Sequence, residues 1–520
     1  MTELSSWLQR CQLLLQQRQL RLVLLSEQWL DWGDSRDQFL VLDDQRTDRY
    51  AMHRYRDFLG GSNQRVLLNC SQRVHADALA ALAGTVSAGG LLVVNLPTQA
   101  TAFSQRLLTH AEPFPLVAKV SSLACLPAIE AKLHGLPVSQ PAPAQFPNHA
   151  QQQVIAAMLA QRQQTHLLMA DRGRGKSTSL GAALAQYTGS DRLVVTAPKR
   201  SQVDSLLQQA ANKAEFIAWE RLLELPADSI RLVIDEAAGL PIHILQQLCQ
   251  KFRVWGIATT VEGYEGCGRG FVIRFVDWLT QHCGYQNHTL TEPVRWRAPD
   301  DCEAWLNQTL CLQPIDTPVH WDDGFHFSAA ATLSEGQLHQ VMQLLLEAHY
   351  QSSPNDLRLL LDDDQQQLLL YCQHNSLVGV IWLATEGPVP ESLQGDILAG
   401  TRRPPGALLP QALSYQWQCH APMQWRWWRV VRIAIPLALR RQHYGTRLLQ
   451  QLLIMGRQYR IDAIGSSFGA APEVLTFWQA NDFRLVHQGT KRQMASGYVN
   501  AMVAVGLTPA VNTLLDQQLR

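Results

Sequence analysis

The chain has 520 residues, with 44 Lys+Arg balanced by 44 Asp+Glu, and 46% of it is hydrophobic. At roughly 100–200 residues per domain this length predicts about three domains, and a zero net charge excludes a protein that is basic throughout, so any nucleic-acid surface is local. Apolar runs fall short of the ~18 residues of a membrane span, the N-terminus lacks the basic start and small-residue cleavage site of a signal peptide, and the ten cysteines form no CxxC pair, so a cytoplasmic enzyme without membrane attachment, zinc site or disulfide framework is expected.

In chain order, "MTELSSWLQRCQLLLQQRQLRLVLLS" predicts an amphipathic helix running into the strand "RLVLLS". Short apolar strands follow at 38–43, 64–70 and 89–97, and "ADALAALAGTVSAGG" predicts a helix ending in glycine. Residues 1–140 thus form an N-terminal α/β domain, and the Pro- and Ala-rich stretch 133–150 is a linker. Residues 141–325 alternate strand and helix through "THLLMA", "RLVVTA", "IRLVIDEA" and "FRVWGIATT", the pattern of a parallel sheet with helices on its faces. A third domain spans 326–508, with a strand pair at 366–384, a strand at 427–435, a helix at 444–457 and a closing "RLVHQG"; residues 509–520 are a short tail.

Two turns carry chemistry. The first, "ADRGRGKSTSLG", fits GxxxxGK[ST] with Ala170 in place of the first glycine. It lies between a strand and a helix, where glycines let backbone N–H groups approach phosphate and the helix N-terminus adds positive charge. Gly173, Arg174, Gly175, Lys176, Ser177 and Thr178 would cradle a nucleotide, with Lys176 on the β/γ-phosphates and Ser177 on Mg²⁺. The strand "IRLVIDEAAGLP" ends in Asp235-Glu236, which would hold Mg²⁺ and orient the attacking water. Arg269 or Arg295 would reach the γ-phosphate. The second turn, "VVRIAIPLALRRQHYGTRLLQQLLIMG", resembles the pyrophosphate loop of the GNAT acyltransferases, [QR]xxGx[GA], with Arg440 first, His443 in place of the first glycine and Gly445 second. The same physics would hold the pyrophosphate of CoA there; a non-glycine residue at 443 can still bind if its φ stays negative, with a tighter fit.

Both turns in one chain, together with "LVIDEAAGLP", "TTVEGYEGCGRGF", "EPVRW", "RRPPGALLPQAL" and "SSFGAAPEVLTFWQANDFRLVHQGTKRQMASGY", resemble the tRNA(Met) cytidine acetyltransferase family, over roughly residues 20–500. The resemblance implies a P-loop, helicase-like ATPase domain followed by a GNAT-fold acetyltransferase domain. It implies acetylation of the cytosine N4 amine at the wobble position, in the anticodon loop of elongator tRNA(Met), from acetyl-CoA, with ATP or GTP hydrolysis. Alanine at 170 is usual in that family. Carried over, Gln151, Gly173 to Ser177 and Arg295 would contact nucleotide, and Ile433, Ala434, Ile435, the turn Arg440, Arg441, Gln442, His443, Tyr444, Gly445, Thr446, and Glu473 would contact acetyl-CoA. The chain departs from the family at His443, at Pro436-Leu437 where His-Pro is usual, at Ala480 where an arginine is usual, and in stopping at Arg520 without the usual tail domain.

An exocyclic cytosine amine is a poor nucleophile, so acetyl transfer needs positioning and an oxyanion hole, for which the strand N–H groups after Ala434 are candidates. Glu473 and His443 are both candidate bases. The run "QWRWWRVVRIAI" (424–435) and "RRPP" (402–405) read either as a base-stacking, phosphate-gripping surface or as a half-buried strand. Two other functions fit the residues: an acetyltransferase acting on another substrate, and an RNA-binding ATPase whose acetyltransferase domain is no longer catalytic.

Overall fold

The computed structural model describes residues 3–59, 61–137, 146–227, 230–260, 269–315, 318–348, 353–492 and 497–519, with side chains in the helix Arg269–His282 described from Phe275 onward. The chain divides into two compact units, Met1–Gln313 with Gln351–Arg358, and Pro314–Tyr350 with Leu359–Arg520.

The first unit holds two parallel sheets. The N-terminal sheet has strands β1 (Leu22–Ser26), β2 (Leu40–Asp43), β3 (Asn63–Asn69), β4 (Val86–Asn95) and β5 (Val117–Val120) in the order β2-β3-β4-β1-β5. The second has β6 (His166–Met169), β7 (Arg192–Thr196), β8 (Ala214–Phe216), β9 (Ile230–Ile234), β10 (Arg253–Thr259) and β11 (Gln286–Thr289) in the order β11-β6-β10-β9-β7-β8. Central strands such as "LVLLS" and "IRLVI" are buried at every residue, as expected for strands covered on both faces. These strands are the ones their apolar runs predict. The strands without such runs, β5, β8 and β11, are short and lie at sheet edges.

One expected helix is shorter than its sequence suggests. It covers Ala76–Ala83, is capped by Gly84, and gives way to β4 from Val86. Thr85 closes the turn and Val86 opens the strand, where β-branched side chains disfavour continuing the helix, and Asn63 N–H donates to the Thr85 carbonyl at 2.8 Å. The two sheets are tied by a buried ion pair: Arg21, before β1, makes a bidentate bond to Asp300, the N-cap of the helix Asp301–Thr309. The same guanidinium stacks 3.5 Å from the Trp296 ring centroid.

The second unit is one mixed sheet, β12 (Gly324–Ser328), β13 (Gln366–Gln373), β14 (Ser376–Glu386), β15 (Trp427–Ala434), β16 (Ala463–Gly469), β17 (Arg484–Arg492) and β18 (Val499–Gly506), in the order β12-β13-β14-β15-β16-β18-β17. β13 and β14 form the expected hairpin, turned by His374 and Asn375, both at positive φ, which suits the twist of a two-residue hairpin. Among the described residues of this unit only β15 and β16 run parallel, joined through the helix Tyr444–Gln458. "RLVHQG" is not the closing strand: β17 lies at the edge and pairs with β18, which inserts beside β16.

Candidate functional site

The first site forms where β6 runs into the helix Lys176–Gln186. The turn between them needs two glycines. Gly173 and Gly175 have φ of +73° and +81°, conformations that L side chains rarely adopt. A Cβ on Gly175 would also lie 2.3 Å from Gln151 Nε2. Gln151 is fully buried; its amide donates to the Arg174 carbonyl at 3.1 Å and accepts from Asn148 N–H at 2.9 Å. In this conformation it braces the turn. Lys176 is buried and donates from Nζ to the carbonyls of Ala170 (2.8 Å) and Asp171 (3.0 Å), at the start of the turn. Burial lowers its pKa, while Glu236 and Asp235 act against that. Arg174 is turned aside to Glu303, 2.5 Å away. Ser177 and Thr178 line the cleft in front of the turn.

β9 carries Asp235 and Glu236 to the same edge of the sheet. Asp235 is fully buried; Oδ1 accepts from Glu236 N–H at 3.0 Å, and Oδ2 has no hydrogen-bond partner among the described residues. Burial and then the neighbouring Glu236 raise its pKa to about 7, with Ser177 and Lys176 pulling the other way. A buried carboxylate oxygen without a partner is costly. A hard cation held by Ser177 and Asp235 relieves that cost, so these residues fit Mg²⁺. Glu236 adopts φ +48° and accepts from Thr260 Oγ1 at 3.3 Å, a strained position for a carboxylate that faces the cleft.

The wall opposite the turn is built by Arg295, which the sequence singled out, and by residues it did not. Val294 N–H donates to the Gly173 carbonyl at 2.7 Å, and Arg295 enters the cleft with Nη1 donating to the Gly84 carbonyl at 3.2 Å. Burial, and then Arg172, lower the pKa of Arg295. Leu59 and Thr85, in loops that flank strands of the N-terminal sheet, also line the cleft, with Gln202 and Ser205. No local motif marks Leu59 and Thr85, because packing within the first unit places them there. Residues 261–268 of "TTVEGYEGCGRGF", and the side chain of Arg269, lie outside the described residues.

The second site lies in the second unit. β15 and β16 pair only from Trp427↔Ala463 to Val430↔Ser466 and then part. The register of β15 against β14 skips Val431, between Trp382↔Arg432 and Leu383↔Val430. Such a bulge bends a strand and frees its backbone groups. Ile433, Ala434 and Ile435 follow on the open arm, where only the β14 edge of β15 is paired. The chain then turns through Arg440, Arg441 and Gln442 into the helix Tyr444–Gln458, whose first N–H groups, at Tyr444, Gly445 and Thr446, have no carbonyl four residues back inside the helix. His443 does not keep the negative φ that the sequence reading sets as the condition for binding by a non-glycine residue: it caps this helix at φ +63°, the left-handed shape a glycine would take, which histidine enters more readily than most residues. Arg441 has φ +60° as well. Arg440 Nε donates to the Ile435 carbonyl at 3.2 Å, folding the turn back onto the strand. Gly445 is tight, since a Cβ there would lie 3.2 Å from Phe477.

The other expected positions are less enclosed. Glu473 is exposed in the first turn of the helix Pro472–Gln479, and Ala480 is that helix's exposed C-cap. In the basic–aromatic run, Trp427 and Trp428 are buried in the core and Arg429 pairs with the buried Glu386 at 2.6 Å. From Trp427 to Ala434 that run is a structural strand, and Trp427 and Trp428 offer no stacking surface; the half-buried Trp425 and the exposed Arg426 precede it. Arg402 and Arg403 are exposed.

Residues 4–118 match the family described as tRNA(Met) cytidine acetyltransferase TmcA, N-terminal; residues 167–313 match RNA cytidine acetyltransferase NAT10/TcmA, helicase domain; and residues 340–455 match GNAT acetyltransferase 2. The chain is 39% identical over 500 residues to a tRNA(Met) cytidine acetyltransferase TmcA of Idiomarina loihiensis, covering 94% of this chain and 80% of that protein. It is 32% identical over 477 residues to the Vibrio cholerae protein of the same name, covering 86% and 66%, and 32% identical over 503 residues to that of Pectobacterium atrosepticum, covering 89% and 71%. The chain thus spans about two thirds to four fifths of these relatives' lengths.

Proposed function

The chain belongs to the tRNA(Met) cytidine acetyltransferase TmcA family, and on that premise we propose that it acetylates N4 of the wobble cytosine in the anticodon loop of elongator tRNA(Met), from acetyl-CoA, using ATP or GTP hydrolysis. The observation that carries the reading is the presence of two turns of different kinds, each entering a helix N-terminus. One faces a buried, unpartnered carboxylate oxygen, and the other follows a parted strand pair. Residues 1–140 and 141–325 would act as the N-terminal and ATPase domains and 326–508 as the acetyltransferase. No helix among the described residues is long and apolar enough to cross a membrane, and the enzyme would work in the cytoplasm with its tRNA.

In the first site, Lys176 and Arg295 would neutralise the terminal phosphates, Glu236 would orient water, and Ser177 and Asp235 would hold Mg²⁺, which supplies charge neutralisation when bound. In the second site, N–H groups of the turn 440–446 would hold the coenzyme pyrophosphate. The open backbone of Ile433 to Ile435 would align the thioester and stabilise the oxyanion. Because acetyl-CoA is already activated, hydrolysis is assigned to presenting the wobble base unstacked.

The test is incubation of the purified chain with radiolabelled acetyl-CoA, Mg²⁺ and a tRNA(Met) transcript, with and without ATP or GTP. Label on the wobble cytosine that requires a nucleoside triphosphate, and that is lost when uridine replaces that cytosine, is expected. Absence of label, or equal labelling of the uridine transcript, refutes the reading.

A further inference from the structure

The strand Trp427–Ala434 keeps its tryptophans in the core, and another surface of the second unit sets exposed rings beside arginines. β12 is an edge strand. Its register places Phe325 opposite Tyr371 and Phe327 opposite Leu369, so both phenylalanines share the face on which the helix Tyr444–Gln458 packs. The rings of Phe325 and Tyr371 stack with centroids 4.3 Å apart and planes 14° from parallel. Tyr444 follows, 6.0 Å from Tyr371. Arg447 Nη1 lies 3.5 Å from the Tyr371 hydroxyl oxygen, and its guanidinium is 5.6 Å from the Tyr444 centroid. Further along β12, Phe327 meets Tyr459 at 5.3 Å. Phe325 is 37% exposed and Tyr459 51%.

A single surface ring is ordinary. Neighbouring exposed rings on a sheet edge are a liability unless something covers them, and the local charge indicates what does. From Leu437 to Arg460 the chain carries five arginines, Arg440, Arg441, Arg447, Arg457 and Arg460, and no aspartate or glutamate; all five are exposed. The acids just before β12 have partners of their own: Asp322 lies 3.3 Å from His320 Nε2, and Asp323 accepts from Asn375 N–H at 2.9 Å. A cationic surface with open ring faces fits a polyanion that has ring faces of its own, which is single-stranded RNA.

We propose that Phe325, Tyr371 and Arg447 form a stacking site for an unpaired nucleotide of RNA, with the base on the Phe325 ring and Arg447 on its phosphate. The nucleotide is unpaired because a base inside a duplex presents no free face. Arg447 lies beyond Thr446, the last helix residue assigned to the coenzyme, so the two sites use different residues.

This inference rests on the reading of tRNA as substrate, and the experiment separates the two. Binding of a fluorescently labelled tRNA(Met) transcript to the full chain is measured by anisotropy over a series of salt concentrations, for wild type, Phe325→Leu, Phe325→Tyr and Arg447→Gln. Acetyl-CoA affinity is measured in parallel by calorimetry. A wild type that binds no tRNA overturns the tRNA reading itself. With wild-type binding intact, Phe325→Leu, which stays apolar but has no ring face, is expected to weaken tRNA binding at least about fivefold with its salt dependence unchanged. Phe325→Tyr is expected to keep wild-type affinity. Arg447→Gln is expected to make the slope of log affinity against log salt shallower by about 0.7. Acetyl-CoA affinity should stay within about twofold in all three. Unchanged tRNA affinity in Phe325→Leu, or an equal loss in Phe325→Tyr, overturns the stacking role. A loss of acetyl-CoA affinity in step with tRNA affinity overturns it too, because the fold or the coenzyme site would then be the cause. If Phe325→Leu does not fold, Arg447→Gln decides: a shallower slope supports the site, and a wild-type slope overturns it.

Discussion

Replacing Asp300 tests whether the N-terminal sheet is locked to the nucleotide site by charge. Its carboxylate is bidentate to Arg21, and both side chains are only 2% exposed. Arg21 also donates to the carbonyls of Ala83 (2.7 Å) and Val86 (3.2 Å). Asp300→Ala leaves that guanidinium buried without its counter-ion, which costs about 3–5 kcal/mol. It also removes the cap of the helix Asp301–Thr309, where Asp300 accepts from Glu303 N–H at 2.8 Å, a further ~1 kcal/mol. The expected loss is about 4–6 kcal/mol in urea unfolding of the first unit. Asp300→Asn keeps the cap and is expected to lose about 3 kcal/mol, as a buried cation still loses its partner. Combining Asp300→Asn with Arg21→Met should cost less than the sum of the two single changes, by at least ~1 kcal/mol. Because Arg21 also stacks on Trp296 beside Gly173, nucleotide affinity should fall in Asp300→Ala. A loss below ~1 kcal/mol, or strictly additive single changes, would refute the argument.

Three further outcomes follow from the sites. Lys176→Ala should abolish nucleotide hydrolysis and tRNA acetylation while leaving acetyl-CoA affinity within threefold by calorimetry; normal acetylation by that variant would break the coupling. Asp235 titrates near 7, above its unfolded value of 3.8, so its contribution to stability is fully present below pH ~4 and is lost as pH rises through about 7. Thermal scans of nucleotide-free protein should therefore show a decline over that window that Asp235→Asn lacks, and Mg²⁺-dependent nucleotide binding in the wild type should weaken as pH falls below about 7. His443→Gly should leave the melting temperature nearly unchanged, since relief of about 1 kcal/mol of left-handed strain is offset by glycine's greater chain entropy. It should also keep acetyl-CoA affinity within threefold, whereas His443→Val, β-branched at the same φ, should lose at least tenfold. Loss of coenzyme binding in the glycine variant would show that the imidazole itself is a ligand.

The buried strands and the two strand-to-helix turns are legible in the sequence because each has a local cause. Continuous apolar runs specify "LVLLS" and "IRLVI", and glycines with a basic residue specify the turn before Lys176. The cleft's far wall is not legible. Leu59 and Thr85 come together with Arg295 only because two separate sheets pack through Arg21 and Asp300. β16 and β18 escape notice although they are central strands, because serines, glycines and alanines interrupt their apolar alternation. The turn at His443 misleads in the other direction: the residue departs from glycine while its backbone does not.

The most direct measurement is nucleoside mass spectrometry of elongator tRNA(Met) from a strain lacking this gene and from the same strain carrying it again. The account predicts N4-acetylcytidine absent from the first and restored in the second. An undiminished acetyl mark in the deletion strain would contradict it.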